Sequence, residues 1–205
     1  MSARHPRVIR VDPATPERAA LRTAAAVLER GGVVAFPTET FYGLGAAALD
    51  RAALRRVFEL KRRPETKPVL LLVDSIAMAE TVGQVSAQAR ALMSRHWPGA
   101  LTLVLRARPG VPQDVTAGTG TVGVRLSPHP VARGLVGALG APVTAPSANP
   151  SGLEPPTTAS AVLAYFGDAV DLVLDGGPTA GGEASTVLDT TVEPPRVLRR
   201  GAVKV

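Results

Sequence analysis

Several stretches of the 205-residue chain combine cations, hydroxyls and amides at spacings that could do chemistry. In Lys61-Arg62-Arg63-Pro64-Glu65-Thr66-Lys67-Pro68, each proline biases its predecessor toward extended backbone, so Arg63 and Lys67 are expected to be extended. Alternate side chains of an extended segment share a face, which puts Lys61 with Arg63 and turns Arg62 away. Two cations side by side suit a polyphosphate, arginine as a bidentate fork and lysine as a point charge. A solvated basic turn explains the run equally well. In Thr144–Gly152, Ser147 and Asn149 stand between prolines after a short apolar run, giving compact donors and acceptors at a strand's carboxyl end. Open α/β sheets bind ligands there, although the same residue types also make plain turns. Arg125 is flanked by apolar residues in Val122–Leu126, and a buried guanidinium requires an anion. Thr38–Gly45, Ser185-Thr186-Val187 and Leu198-Arg199-Arg200-Gly201 add further hydroxyls and cations beside strands.

Other chemistries find no residues. No Ser–His–Asp arrangement or pair of catalytic carboxylates is recognisable, and His5 and His96 lack partners at metal-ligating spacing. His129, between two prolines, reads as a packed or capping residue. What remains is phosphoryl or nucleotidyl transfer by positioning and charge neutralisation. The chain contains no cysteine, which removes disulfides and thiol catalysis. Its net charge of +6 favours anionic partners such as nucleotides or RNA. There is no export signal and no apolar run of roughly 20 residues, so a cytoplasmic protein without a membrane span is expected.

The positioning elements follow from periodicity. Hydrophobic residues make up 45% of the chain and aromatics only 3%, so the core must be Val, Leu and Ala. Strands are expected at Val8–Val11, Val33–Phe36, Val69–Val73, Leu101–Ala107, Val122–Leu126, Val143–Ala145, Asp171–Leu174, Ser185–Asp189 and Arg196–Arg199. Helices alternate with them: one introduced by Thr15 as N-cap and closed by Gly31-Gly32, one capped by Asp50, then Ile76–Val82, Ser86–Arg95, Val131–Leu139 and Thr158–Phe166. Thr38–Gly45 and Pro109–Gly120 read as loops. The alternation, with no repeat or linker, implies a single α/β domain built on a mixed sheet.

In order along the chain, Phe36–Gly45, Lys61-x-Arg63-Pro64-x-x-Lys67-Pro68, Trp97–Thr102, Val124-Arg125-x-x-Pro128-His129-Pro130, Pro146-Ser147-Ala148-Asn149-x-Ser151-Gly152, Ser185-Thr186-Val187-x-Asp189 and Leu198-Arg199-x-Gly201 resemble the motifs of the YrdC-like threonylcarbamoyl-adenylate synthases. The resemblance implies a twisted mixed β-sheet flanked by helices around a large, positively lined concave cavity. It implies that L-threonine, bicarbonate or CO2, and ATP give threonylcarbamoyl-adenylate and pyrophosphate. A downstream transferase would then modify tRNA, and direct RNA contact is possible. Lys61, Arg63, Lys67, Thr121, Ser147, Asn149 and Arg199 would serve ATP, with Lys61 and Arg63 closest to the chemistry; Thr40, Arg125 and Ser185 would hold threonine. Mg2+ would travel with ATP, held mostly by phosphates and water. Leu72 stands where many members carry a histidine, and the chain resembles the short form, one domain over residues 1–205. The alternative is a non-enzymatic module for double-stranded RNA or tRNA, though the chain lacks aromatic platforms for stacking single-stranded bases.

Overall fold

A computed structural model describes residues 7–62 and 68–205; Arg63 and Lys67 lie outside the described residues. The strands are β1 (Arg7–Arg10), β2 (Val34–Pro37), β3 (Tyr42–Gly45), β4 (Leu70–Leu72), β5 (Gly83–Gln84), β6 (Leu101–Ala107), β7 (Thr121–Arg125), β8 (Val143–Thr144), β9 (Leu172–Asp175), β10 (Thr186–Asp189) and β11 (Arg196–Arg199). The helices are α1 (Arg18–Glu29), α2 (Arg51–Lys61), α3 (Ile76–Val82), α4 (Ala87–His96), α5 (Gln113–Thr116), α6 (Pro130–Leu139) and α7 (Ala159–Phe166).

Two mixed sheets form where one was expected. The smaller has the order β1-β9-β2-β3; the larger runs β11-β10-β6-β7-β4-β8, with β5 alongside β6. In the smaller sheet both faces are covered, which explains its unbroken apolar runs. Val34, Phe36, Leu172 and Leu174 pack toward α1 and α6, while Val33, Ala35 and Val173 pack with residues of α2 and α7. In the larger sheet, helices cover one face of β6, β7 and β10, and only at the β4–β8 end do Leu72 and Val143 pack against α6 on the other face. Leu101, Leu103, Leu105, Val122, Val124 and Leu188 pack with Ala79, Val82, Ala89 and Met93 of α3 and α4. The intervening residues of the same strands point to the other side and form a site.

Local chemistry sets most boundaries. Asp50 caps α2 by accepting hydrogen bonds from the backbone N–H of Ala52 and Ala53. Gly31, at φ +74°, provides the left-handed residue that ends α1. The start of α1 differs from expectation: Glu17 occupies the N-cap without a side-chain bond, and the N–H of Thr15 is held by Asp12. Tyr42–Gly45 is a strand despite its two glycines. A Cβ on Gly45 would lie 2.7 Å from the Phe36 ring, so glycine here permits close packing and does not break the ladder. Pro109–Gly120 contains the short helix α5, stabilised by its contact with α2 through Arg51 and Asp114.

The Lys61 segment also departs from the extended geometry expected of it. Lys61 is the last residue of α2 and continues the buried face of Leu54, Val57 and Phe58, while exposed Arg62 takes the left-handed cap position at φ 48°. Burial at helical spacing carries α2 through Lys61, which lies three residues ahead of Pro64 and beyond the reach of its bias on Arg63.

His129 caps α6, its Nδ1 accepting from the Val131 N–H at 3.2 Å. Burial holds this imidazole below its ordinary pKa, with Glu39 acting in the opposite direction. The unfolded state therefore binds the proton more readily, so stability is full above about pH 6.5 and falls as pH drops through that value. The melting temperature should decline between about pH 7 and 5.5, and His129→Asn, which retains a capping acceptor, should flatten that decline.

Candidate functional site

The free face of the larger sheet floors a cavity of about 540 Å³. Thr102 and Val104 of β6, Thr121, Gly123 and Arg125 of β7, and Val187 of β10 alternate with the core residues named above and line it. Period two thus separates core from site along each strand. The opposite wall comes from the smaller sheet and from the segment after β8: Thr40, Tyr42 and Gly43, then Ala145, Pro146 and Ser147. Thr144 joins the two sides, its Oγ1 accepting from Ala46 N–H at 2.8 Å and donating to the Leu44 carbonyl at 3.0 Å.

Arg125 occupies the inner end of the floor with 4% of its surface exposed. Its Nε lies 3.4 Å from Glu39 Oε1, an ion pair without hydrogen-bond geometry, and the other Glu39 oxygen accepts from the Ser127 hydroxyl at 2.5 Å. The terminal guanidinium nitrogens form no hydrogen bond to any described residue and are not among the fully enclosed unpaired atoms. They are open to the cavity. Burial pulls the Arg125 pKa down, Glu39 raises it and nearby Arg199 lowers it further. The group nevertheless stays a cation, as guanidinium does in proteins. The anion expected for Arg125 is therefore partly supplied from within by Glu39, with its outer edge left for a ligand.

Thr40 reaches the cavity from the four-residue loop between paired Pro37 and Tyr42. Thr38 shapes that loop, its Oγ1 donating to the Phe41 carbonyl at 2.7 Å and lying 3.3 Å from Thr40 Oγ1. Ser185 and Arg199 meet directly. Arg199 donates from Nε and Nη2 to the Ser185 carbonyl at 3.1 and 2.8 Å, and from Nη2 to Ser185 Oγ at 3.0 Å. Thr102 Oγ1 lies 2.9 Å from the same hydroxyl. Thr121 shares a 2.9 Å hydrogen bond with Thr119 at the cavity rim.

Lys61 stands behind the wall. Its Nζ donates to the carbonyls of Ser147 and Asn149, the latter at 2.7 Å, and its own carbonyl accepts from Ser151 N–H at 2.7 Å. The end of α2 thus clamps the 147–151 turn. Asn149 helps from within the turn, Nδ2 donating to the carbonyls of Pro150 and Leu153, while its buried Oδ1 has no partner among the described residues. Tyr42 lines the cavity too, but its hydroxyl donates to the Gly177 carbonyl at 2.7 Å and burial raises its pKa well above normal, so it stays protonated.

Six of the residues singled out from sequence therefore meet at one cavity: Thr40, Thr121, Arg125, Ser147, Ser185 and Arg199. Lys61 and Asn149 buttress it. Glu39, Thr38, Thr102 and Ser127 were not singled out as site residues, although the alternation Leu101-Thr102-Leu103 already places Thr102 off the core face. Leu72 is buried in the core beside α6 and does not line the cavity. Among the described residues no group of three or more His, Cys, Asp or Glu side chains could hold a metal, and no helix is long and apolar enough to cross a membrane.

Residues 26–201 match the model of a family described as "Telomere recombination", Sua5/YciO/YrdC. The chain belongs to the Sua5/YciO/YrdC family. A threonylcarbamoyl-AMP synthase of Pyrococcus abyssi is 43% identical over 184 residues, covering 89% of this chain and 54% of that protein. The Bacillus subtilis protein of the same name is 43% identical over 88% of this chain and 53% of its own length. The chain thus spans about half the length of these curated relatives. The crystal structure of P. abyssi Sua5 complexed with L-threonine superposes with a TM-score of 0.91 at 42% identity, covering 95% of this chain and 57% of that one. Escherichia coli YciO gives a TM-score of 0.89 at 27% identity over 97% of both chains.

Within this family fold, the far side of the cavity depends on Gly201. A Cβ there would fall 2.1 Å from the Ala184 carbonyl oxygen, and Ala202 N–H bonds that same oxygen at 3.1 Å. Gly201→Ala should destabilise the protein by about 1–3 kcal/mol through overpacking. Urea unfolding checks this; an unchanged midpoint would mean that the strand end moves freely.

Proposed function

We propose that this chain is an L-threonylcarbamoyladenylate synthase, a nucleotidyltransferase that joins L-threonine, CO2 or bicarbonate, and ATP. The reading rests on the buried guanidinium of Arg125, whose terminal nitrogens face a hydroxyl-lined cavity of amino-acid and nucleotide size. A relative with the same fold is described as complexed with L-threonine, and the curated relatives carry the synthase name.

In this account Arg125 receives the threonine carboxylate as a bidentate pair, with Thr40 and Ser185 offering hydroxyls to the rest of the amino acid. Arg199, Thr121, Ser147, Asn149, Lys61, Arg63 and Lys67 serve ATP. Of these, Lys61 acts in part through the 147–149 turn that it holds. The threonine ammonium loses one proton to solvent, its nitrogen forms an N–C bond with CO2, and loss of a second proton from that nitrogen to solvent leaves the carbamate. A carbamate oxygen then attacks the α-phosphorus, and the bond to the β-phosphate oxygen breaks with its electron pair leaving on pyrophosphate. No covalent enzyme intermediate is needed. Mg2+ would arrive with ATP on phosphate and water ligands, since the carboxylate nearest Arg125, Glu39, is occupied by Ser127 and Arg125. The product would pass in the cytoplasm to a transferase acting on tRNA.

The purified protein should release pyrophosphate only when ATP, L-threonine and bicarbonate are all present; release indifferent to threonine contradicts the reading. Arg125→Lys, which loses bidentate geometry, should raise the KM for threonine by about tenfold or more while leaving the KM for ATP nearly unchanged. Arg62→Ala should keep turnover near that of the wild type, because Arg62 is an exposed helix cap. Salt-sensitive RNA binding with no pyrophosphate formed would favour a binding module instead.

A further inference from the structure

Glu39 is a buried acid that the reaction above does not consume. It sits in the loop between β2 and β3 on the smaller sheet, yet its oxygens are directed at Arg125, the last residue of β7, and at Ser127 just beyond it. Oε2 accepts from Ser127 Oγ, and Ser127 Oγ in turn accepts from the His129 N–H at 3.2 Å, at the entrance to α6. Oε1 faces Arg125 Nε at 3.4 Å. The carboxylate is thereby anchored on one oxygen and set against the inner nitrogen of the guanidinium with the other.

This arrangement has two opposed consequences for an anion bound at Arg125. By charge, Glu39 weakens the site, since it repels the incoming anion and already compensates the cation. By geometry it strengthens the site. A guanidinium is planar with its five N–H groups in a fixed fork, so a carboxylate on the Nε edge sets which way the fork faces. With Nε turned to Glu39, the two terminal nitrogens are left toward the cavity, where they bond no described residue. Arg199, the other cation whose field reaches Arg125, is bound to Ser185 and provides no such orientation.

We infer that Glu39 is a positioning residue for the amino-acid subsite: held by Ser127, it orients Arg125 so that the guanidinium receives the substrate carboxylate, and this geometric effect outweighs its charge. The inference rests on the threonine-dependent synthase reading.

The test compares wild type, Glu39→Gln, Glu39→Asp and Ser127→Ala by calorimetric titration with L-threonine and by steady-state pyrophosphate release. Glu39→Gln should weaken threonine binding and raise the threonine KM by about tenfold or more, the scale expected of a misplaced binding group, with the ATP KM changed by less than about twofold. Glu39→Asp should recover part of the loss. Ser127→Ala keeps the negative charge but removes its anchor, so it should raise the threonine KM in the same direction; it also serves should the glutamine variant fail to fold. Threonine binding by Glu39→Gln as tight as or tighter than wild type, or a parallel rise in both KM values, overturns the proposal. In that outcome the wild type still binds threonine and the synthase reading stands. If the wild type itself takes up no threonine, the synthase reading fails and the inference fails with it.

Discussion

A guanidinium placed at the inner end of a central strand constrains everything around it. Arg125 is almost wholly enclosed, and an enclosed cation is tolerated only with a counter-charge and a polar outlet. The counter-charge comes from the smaller sheet, through Glu39, and the outlet is the cavity between the sheets. The two sheets must therefore be held in register for the ion pair to exist. Thr144 bridges β8 to the Leu44–Ala46 backbone, and a backbone bridge pairs Gly43 with Ser147. Lys61 completes the join by tying α2 to the turn beyond β8.

On the far side, the chain's last segment closes the wall. Arg199 brackets Ser185, Gly201 lies against Ala184, and Thr186 Oγ1 donates to the Val203 carbonyl at 2.6 Å. The cavity is thus assembled from segments distant in sequence, each fixed by backbone-directed bonds. The hydroxyls of Thr40, Thr102, Thr121 and Ser185 already contact other side chains, so they have little rotamer freedom left to lose when a ligand enters. Such preorganisation suits a reaction that depends on placing three substrates and neutralising charge.

Much of this was legible in the residues. Strict alternation in Leu101–Leu105 and Thr121–Arg125 distinguishes core from cavity face, and Arg125 stands out because charge in a buried strand demands an anion. Asp50 as a cap and Gly31 as a stop could be read from residue type, because their conformations or hydrogen bonds are nearly specific to those residues. What stayed hidden was decided by tertiary contact. Lys61 belongs to a helix because it is buried along the same helix as Val57 and Phe58 and its amine finds carbonyls on a remote turn, and Arg62 adopts a left-handed cap that its type does not announce. Glycines in Tyr42–Gly45 suggest a loop until the Phe36 ring packed against them is known. The division into two sheets, and the choice of Glu39 as partner for Arg125, depend on pairings that no local pattern carries.

The most direct test of the central claim is a crystal structure of the protein with L-threonine and a non-hydrolysable ATP analogue. The account predicts the threonine carboxylate within about 3 Å of both terminal nitrogens of Arg125, with Glu39 still on the Nε edge and the triphosphate on the Ser147 and Arg199 side of the cavity. A threonine carboxylate bound elsewhere, with the Arg125 terminal nitrogens free of it, would contradict the account.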